Sequence, residues 1–223
     1  MNKLDIKKMV VLSLFCAMAY IFVFVFRIKV AFLTFDAKDA IITVAALLYG
    51  PLSGVIVSLV VSFLEFITVS DTGVYGLIMN FLSTMAFCLP VSFIYKFKKT
   101  TSSAVLGLIL SIISMTGVML CANLLITPFY MKTPVSVVKS MILPLILPFN
   151  FTKALLNSGL TMLIYKPAVN SLRAVGLTNK RGDKGYSFNK KTIIVLIVSL
   201  LVIVLAVIFF TLKLDGVFEL FRK

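Results

Sequence analysis

Residues 144–165 read PLILPFNFTKALLNSGLTMLIY, a stretch apolar enough for a membrane yet interrupted by Lys153 with no acidic residue near it in sequence. A charge in hydrocarbon costs at least about 2.5–3.5 kcal/mol even on the lenient insertion scale, so such a group faces a cavity or a partner. Proline suits the first position of a helix, which places the helix start near Pro148. From there to Lys166 the rise is about 28 Å, close to the thickness of a bilayer core. Asn150, Lys153, Asn157 and Thr161 then share one face. The spacing predicts a helix that forms the wall of a binding site.

The rest of the chain agrees with a membrane setting. Its 223 residues are 61% hydrophobic and only 13% charged, against about half apolar and a quarter charged in a soluble domain. Apolar runs of helical length, not alternating strands, make the expected class all-α and integral to the membrane. The net charge of +14 does not point to nucleic acid, because the cations sit mostly in short loops between apolar runs. Cys16, Cys88 and Cys121 fall inside membrane segments, so a disulfide framework is not expected. With no His and three scattered Cys, a transition-metal site is not expected and a His-based triad cannot be assembled; no metal or resident cofactor is expected.

Seven segments emerge in order. The first, about Met9–Phe26, follows Lys3, Lys7 and Lys8; it lacks a cleavage site and reads as a retained helix. Ser13 and Ala17 give it small residues four apart, a spacing that admits a close neighbour. A mixed loop, Arg27–Asp39, precedes a short second segment, Ala40–Tyr49, which stops at Gly50-Pro51 and is expected to begin nearer Phe35 or to tilt. Segment three, Leu52–Val69, carries Ser58, Ser62 and Glu65 on a face expected to point into the bundle, with Glu65 read as the only membrane carboxylate. Segments four (Val74–Ile94) and five (Ala104–Ile126) flank a basic loop at Tyr95–Lys99. The loop TPFYMKTPVSVVKS follows, with Pro128 and Pro134 expected to end any helix.

A polar linker, Leu172–Lys191, carries Arg173, Lys180, Arg181, Lys184, Lys190 and Lys191. The seventh run, Thr192–Leu212, has membrane length but no polar stripe and reads as an anchor or peripheral helix. The expected divisions are a six-helix domain over 1–177, a basic cytoplasmic linker over 178–191, and a further membrane helix with a short tail over 192–223. Threaded with the N-terminus in the cytoplasm, most of the 22 Lys and Arg residues lie inside, as the positive-inside rule requires. The polar features at Asn123, Asn150 and Lys153 then converge on the outer side of a cell membrane crossed several times.

Enzymatic motifs are scarce. No P-loop is present, and a Ser/Lys dyad between Lys153 and Ser158 fails because a spacing of five puts them on different helix faces. One membrane carboxylate and no repeated halves give little support to autonomous ion-driven transport. The residues describe a small bundle with an outward pocket lined by Asn, Thr, Tyr and one Lys. Amides that donate and accept together suit a heterocycle with C=O and N–H edges, and Phe32, Phe35, Phe129, Tyr130 and Phe149 offer flat apolar surface to a ring. The same residues would also serve as interhelical glue and interfacial aromatics in a membrane scaffold or sensor.

Several stretches resemble the substrate-binding S components of energy-coupling factor (ECF) transporters, of the riboflavin type. They are the basic N-terminus with Ser13 and Ala17, FLTFDAKDAIITVAALLYGPLSGVIVSLV at 32–60, NLLITPFYM at 123–131 and PFNFTKALLN at 148–157. The resemblance spans Lys7–Leu177, and the Asn150-x-x-Lys153 pair is its pointer to riboflavin; another vitamin or heterocycle on the same scaffold remains open. It implies six helices, with a vitamin bound near the outer face under the loop after helix one. Ligand contacts would be Phe32, Leu33, Thr34, Phe35, Asn123, Tyr130, Asn150 and Lys153. It further implies a T component and two ATPase subunits as partners, docked through Ser13 and Ala17, with no catalytic residue in this chain. The seventh segment departs from the pattern.

Overall fold

In a computed structural model, residues 3–25, 27–176, 190–212 and 217–218 are described. Most of the chain is helical. Helix α1 (Lys3–Val25) leads into a hairpin of β1 (Arg27–Val30) and β2 (Leu33–Asp36), followed by α2 (Lys38–Tyr49), α3 (Pro51–Thr68), α4 (Gly73–Phe97) and α5 (Thr101–Met131). A short α6 (Val135–Met141) passes through a π-helical turn at Ile142–Ile146 into α7 (Leu147–Ala174). Helix α8 (Lys190–Leu212) and a two-residue β3 (Val217–Phe218) complete the described residues. Among the described residues, five stretches are long and apolar enough to cross a membrane: Ile6–Val25, Pro51–Thr68, Gly73–Phe97, Ser102–Met131 and Val135–Leu172. The linker cations Lys180, Arg181 and Lys184, and most of the expected 178–191 boundary, lie outside the described residues.

Helix α2 is the axle of the bundle. At 12 residues it rises only about 18 Å, and Lys38 through Leu48 are all buried. It packs against α1, α3, α4 and α7, and a helix enclosed on every side needs no solvent or lipid face. The expected earlier start near Phe35 is replaced by β2. The helix ends where Gly50, at φ +96°, turns the chain through a conformation that L side chains rarely adopt, and Pro51 opens α3.

Two prolines behave otherwise than the sequence suggests. Pro128 does not end α5, which runs on to Met131 and closes with Lys132 in the left-handed conformation at φ 52°. Placed in the last turn, Pro128 forfeits a single backbone hydrogen bond, and Tyr130 is carried on the extra turn. Pro148 does not start the sixth segment either: helix begins at Val135. Pro144 and Pro148 both lack an N–H, and the π-helical turn between Ile142 and Ile146 lets the chain pass them with a local change of register instead of a break.

The loop after α1 is a hairpin. Arg27 pairs with Asp36 and Val30 with Leu33, and Ala31 at the tip holds φ 50°. The seventh segment lies along α7 with most of its described side chains exposed, as expected of a peripheral helix, yet its contact is close. At Gly159 of α7 a Cβ would meet Ser199 O and Ile203 Cγ1 of α8 at 3.1 Å, so the absent side chain is what lets α8 lie close. Ala206 of α8 joins Val30, Leu33 and Phe35 of the hairpin with Phe149 and Leu156 of α7 in one buried cluster. Strand β3 then pairs with β1, giving the sheet order β2-β1-β3.

Candidate functional site

The hairpin, the C-terminal ends of α1, α3 and α5, and the N-terminal ends of α4 and α7 meet at one end of the bundle. They enclose a cavity of about 240 Å³. Of the eight expected contact residues, seven line it: Phe32, Leu33 and Thr34 from the hairpin, Asn123 and Tyr130 from α5, and Asn150 and Lys153 from α7. Phe35 does not. It lies on the same strand face as Leu33, two residues further from the hairpin tip, and is buried in the cluster shared with α7 and α8. Among the other expected aromatics, Phe149 lines the cavity, whereas Phe129 is 70% exposed on the outside of α5.

Helical spacing places the polar groups. Asn150, Lys153, Asn157 and Thr161 are all buried, as their common face predicts. Asn150 Nδ2 donates to Ile146 O at 2.8 Å, leaving its carbonyl oxygen and second N–H for a ligand. On α5, Asn123 Nδ2 donates to Met119 O at 2.8 Å and Thr127 Oγ1 donates to Asn123 Oδ1 at 2.9 Å. Both amides are therefore oriented before anything binds. Asn157 serves the fold instead, since its Oδ1 accepts from Ala40 N at 3.0 Å. The N-cap of α2, Ala37, makes no side-chain cap bond, so a distant helix satisfies one of the free N–H groups of α2.

Sequence reasoning finds Lys153 but not its surroundings. Asp36, Lys38 and Asp39, read as parts of a mixed loop, are buried, and Lys38 and Asp39 are 1% and 0% exposed. Glu65 is therefore not the only carboxylate in the bundle. Lys153 Nζ lies 3.5 Å from Asp36 Oδ2 and 3.8 Å from Asp39 Oδ2, and 3.5 Å from Thr34 O. Lys38 Nζ is held closely by Glu65, at 2.6 Å from Oε1 and 2.5 Å from Oε2, and lies 3.6 Å from Asp36 Oδ2. Glu65 thus faces into the bundle as expected, but it neutralises Lys38, not Lys153.

Two further bonds tie α4 to this network: Thr84 Oγ1 donates to Asp39 Oδ1 at 2.6 Å, and Asn80 Nδ2 donates to Glu65 Oε2 at 2.8 Å. Burial alone would push the Asp36 carboxyl up, but the ammonium groups of Lys153 and Lys38 outweigh it and hold it below the usual carboxylate range.

The contrast between the two lysines is chemically informative. Lys38 is saturated at short range, whereas the partners of Lys153 stand at 3.5 Å or beyond. Lys153 is compensated electrostatically without being bound tightly, so its N–H groups can turn to a carbonyl or hydroxyl in the cavity. A tight pair such as Lys38–Glu65 leaves no trace in sequence, because its members are 27 positions apart.

Outside the cavity, Ser13 and Ala17 are exposed on α1. They lie beside Met9, Leu14, Met18 and Ile21, which are also exposed.

Comparison with known proteins bears on the same region. Residues 7–165 match the family model described as "ECF transporter, substrate-specific component". The riboflavin transporter RibU of Staphylococcus aureus (strain TCH60) is 30% identical over 185 residues, covering 78% of this chain and 97% of that relative. The riboflavin transporter FmnP of Bacillus subtilis (strain 168) is 30% identical over 186 residues, covering 77% and 98%. The solved structure of the S component of a bacterial ECF transporter superposes with a TM-score of 0.65 at 31% identity, over 76% of this chain and 99% of that one. The chain is a multi-pass membrane protein and belongs to the family of substrate-specific components of ECF transporters.

Proposed function

We propose that this chain captures riboflavin at the outer face of the cell membrane and delivers it inward when coupled to a T component and two ATPase subunits. Its main support is one juxtaposition: Lys153, Asn150 and Asn123, all buried, share a cavity with the hairpin tip. Two riboflavin transporters align with this chain over nearly their whole lengths. The Asn amides and the Lys ammonium match the carbonyl and N–H edges of an isoalloxazine ring, and Phe32, Tyr130 and Phe149 give it apolar surface. Leu33 and Thr34 complete the contacts from the hairpin, which is the cover of the site. The distribution of Lys and Arg supports a cytoplasmic N-terminus, and this sets the cavity end outward.

The exposed Ser13 and Ala17 serve as the docking surface for the T component. Equilibrium dialysis of purified protein against riboflavin tests the reading. Saturable retention with altered flavin absorbance and fluorescence is expected; no retention contradicts it.

A further inference from the structure

The contacts proposed above come from the hairpin, α5 and α7. The same cavity is also lined by Glu65 of α3 and by Asn80 and Ser83 of α4, which those contacts leave unused. Asn80 and Ser83 are three apart and so share a helix face. Two buried hydroxyls of α7 bond back to a carbonyl four residues earlier, Ser158 to Ala154 O and Thr161 to Asn157 O, and that of Thr84 donates to Asp39 Oδ1. Ser83 is 3% exposed and its Oγ has no partner. Of the unpartnered buried hydroxyls among the described residues, it is the one that lines the cavity.

Glu65 has capacity to spare as well. A carboxylate offers about four lone-pair sites; Lys38 takes one on each oxygen and Asn80 a third. The surrounding cluster sets three carboxylates, Asp36, Asp39 and Glu65, against two ammonium groups, Lys38 and Lys153. Acceptors therefore exceed donors on this side of the cavity. A hydroxyl both donates and accepts, and a chain of adjacent hydroxyls would donate hydrogen bonds to Glu65, accept from the second N–H of Asn80 and donate to or accept from Ser83 Oγ.

Resting on the riboflavin reading, we propose that Glu65, Asn80 and Ser83 form a second subsite that binds the polyhydroxylated chain of the ligand, separately from the ring.

The test is to titrate riboflavin and lumiflavin, which has the same ring system with a methyl group in place of the hydroxylated chain, into the parent protein, Ser83→Ala and Asn80→Ala. Each substitution is expected to raise the Kd for riboflavin by about tenfold while leaving that for lumiflavin within about twofold. Ser83→Ala removes one oxygen and keeps the helix, so it decides the matter if Asn80→Ala fails to fold. Equal weakening of both flavins, or no effect on riboflavin, would overturn the subsite. A parent that binds lumiflavin as tightly as riboflavin would also overturn it while leaving ring recognition intact. A parent that binds neither flavin would overturn the riboflavin reading itself, and the subsite with it.

Discussion

Nζ of Lys153 lies 3.5 Å from Oδ2 of Asp36, across 117 positions of sequence. The pair joins the helical wall of the cavity to the hairpin, because Lys153 belongs to α7 and Asp36 ends β2. Lys38 reaches the same carboxylate oxygen at 3.6 Å. Asp36 therefore serves two buried cations, and the entry to α2 cannot be rearranged without disturbing both.

This makes Asp36→Ala costly. Removing one partner of a buried ion pair typically destabilises by about 3–5 kcal/mol, because a charge is left without compensation. Thermal unfolding in detergent should show a clearly lowered midpoint for Asp36→Ala. Asp71→Ala, which breaks a largely exposed pair with Lys29, should change it little.

Asn150→Ala should weaken riboflavin binding by about 1–3 kcal/mol, through ligand groups left unpaired. The helix itself should survive, since Nδ2 of Asn150 makes only a local bond to Ile146 O. Fluorescence titration gives the affinity, and circular dichroism gives the fold. A normal affinity would place the ring elsewhere.

Much of this is legible in the sequence. Four polar residues on one face of segment six are enough to find the wall, because helical periodicity is local. The hairpin reads as a loop, since two four-residue strands around a two-residue tip are too short to show a pattern. Asp36, Lys38 and Asp39 fall into that same loop because charge usually signals exposure. Only the tertiary arrangement, with Glu65 from α3 and Lys153 from α7, compensates them. The close packing of α8 on α7 has no polar signal, and resides in the missing side chain of Gly159.

That glycine is itself testable. Gly159→Leu places bulk where a Cβ alone would already stand 3.1 Å from Ser199 O, and overpacking of this kind costs about 1–3 kcal/mol. Loss of α8 from its seat should also free β3 from β1. Hydrogen exchange should then rise at the β1 amides relative to the parent; unchanged protection would show that the hairpin does not depend on α8.

Ala17→Trp should separate capture from transport. The residue is exposed on α1, so the substitution should leave riboflavin affinity at the parent value and reduce uptake by the assembled transporter in vesicles. Loss of affinity along with uptake would mean that the change damages the fold.

The most direct test of the account is the riboflavin affinity of Lys153→Ala beside that of the parent chain. The account predicts saturable binding to the parent and a Kd raised by roughly tenfold or more when the ammonium is removed, as the loss of a charged hydrogen bond requires. Equal affinities in the two proteins would contradict it, because a buried cation held only loosely by its neighbours in the cavity wall would then have no part in holding the ligand.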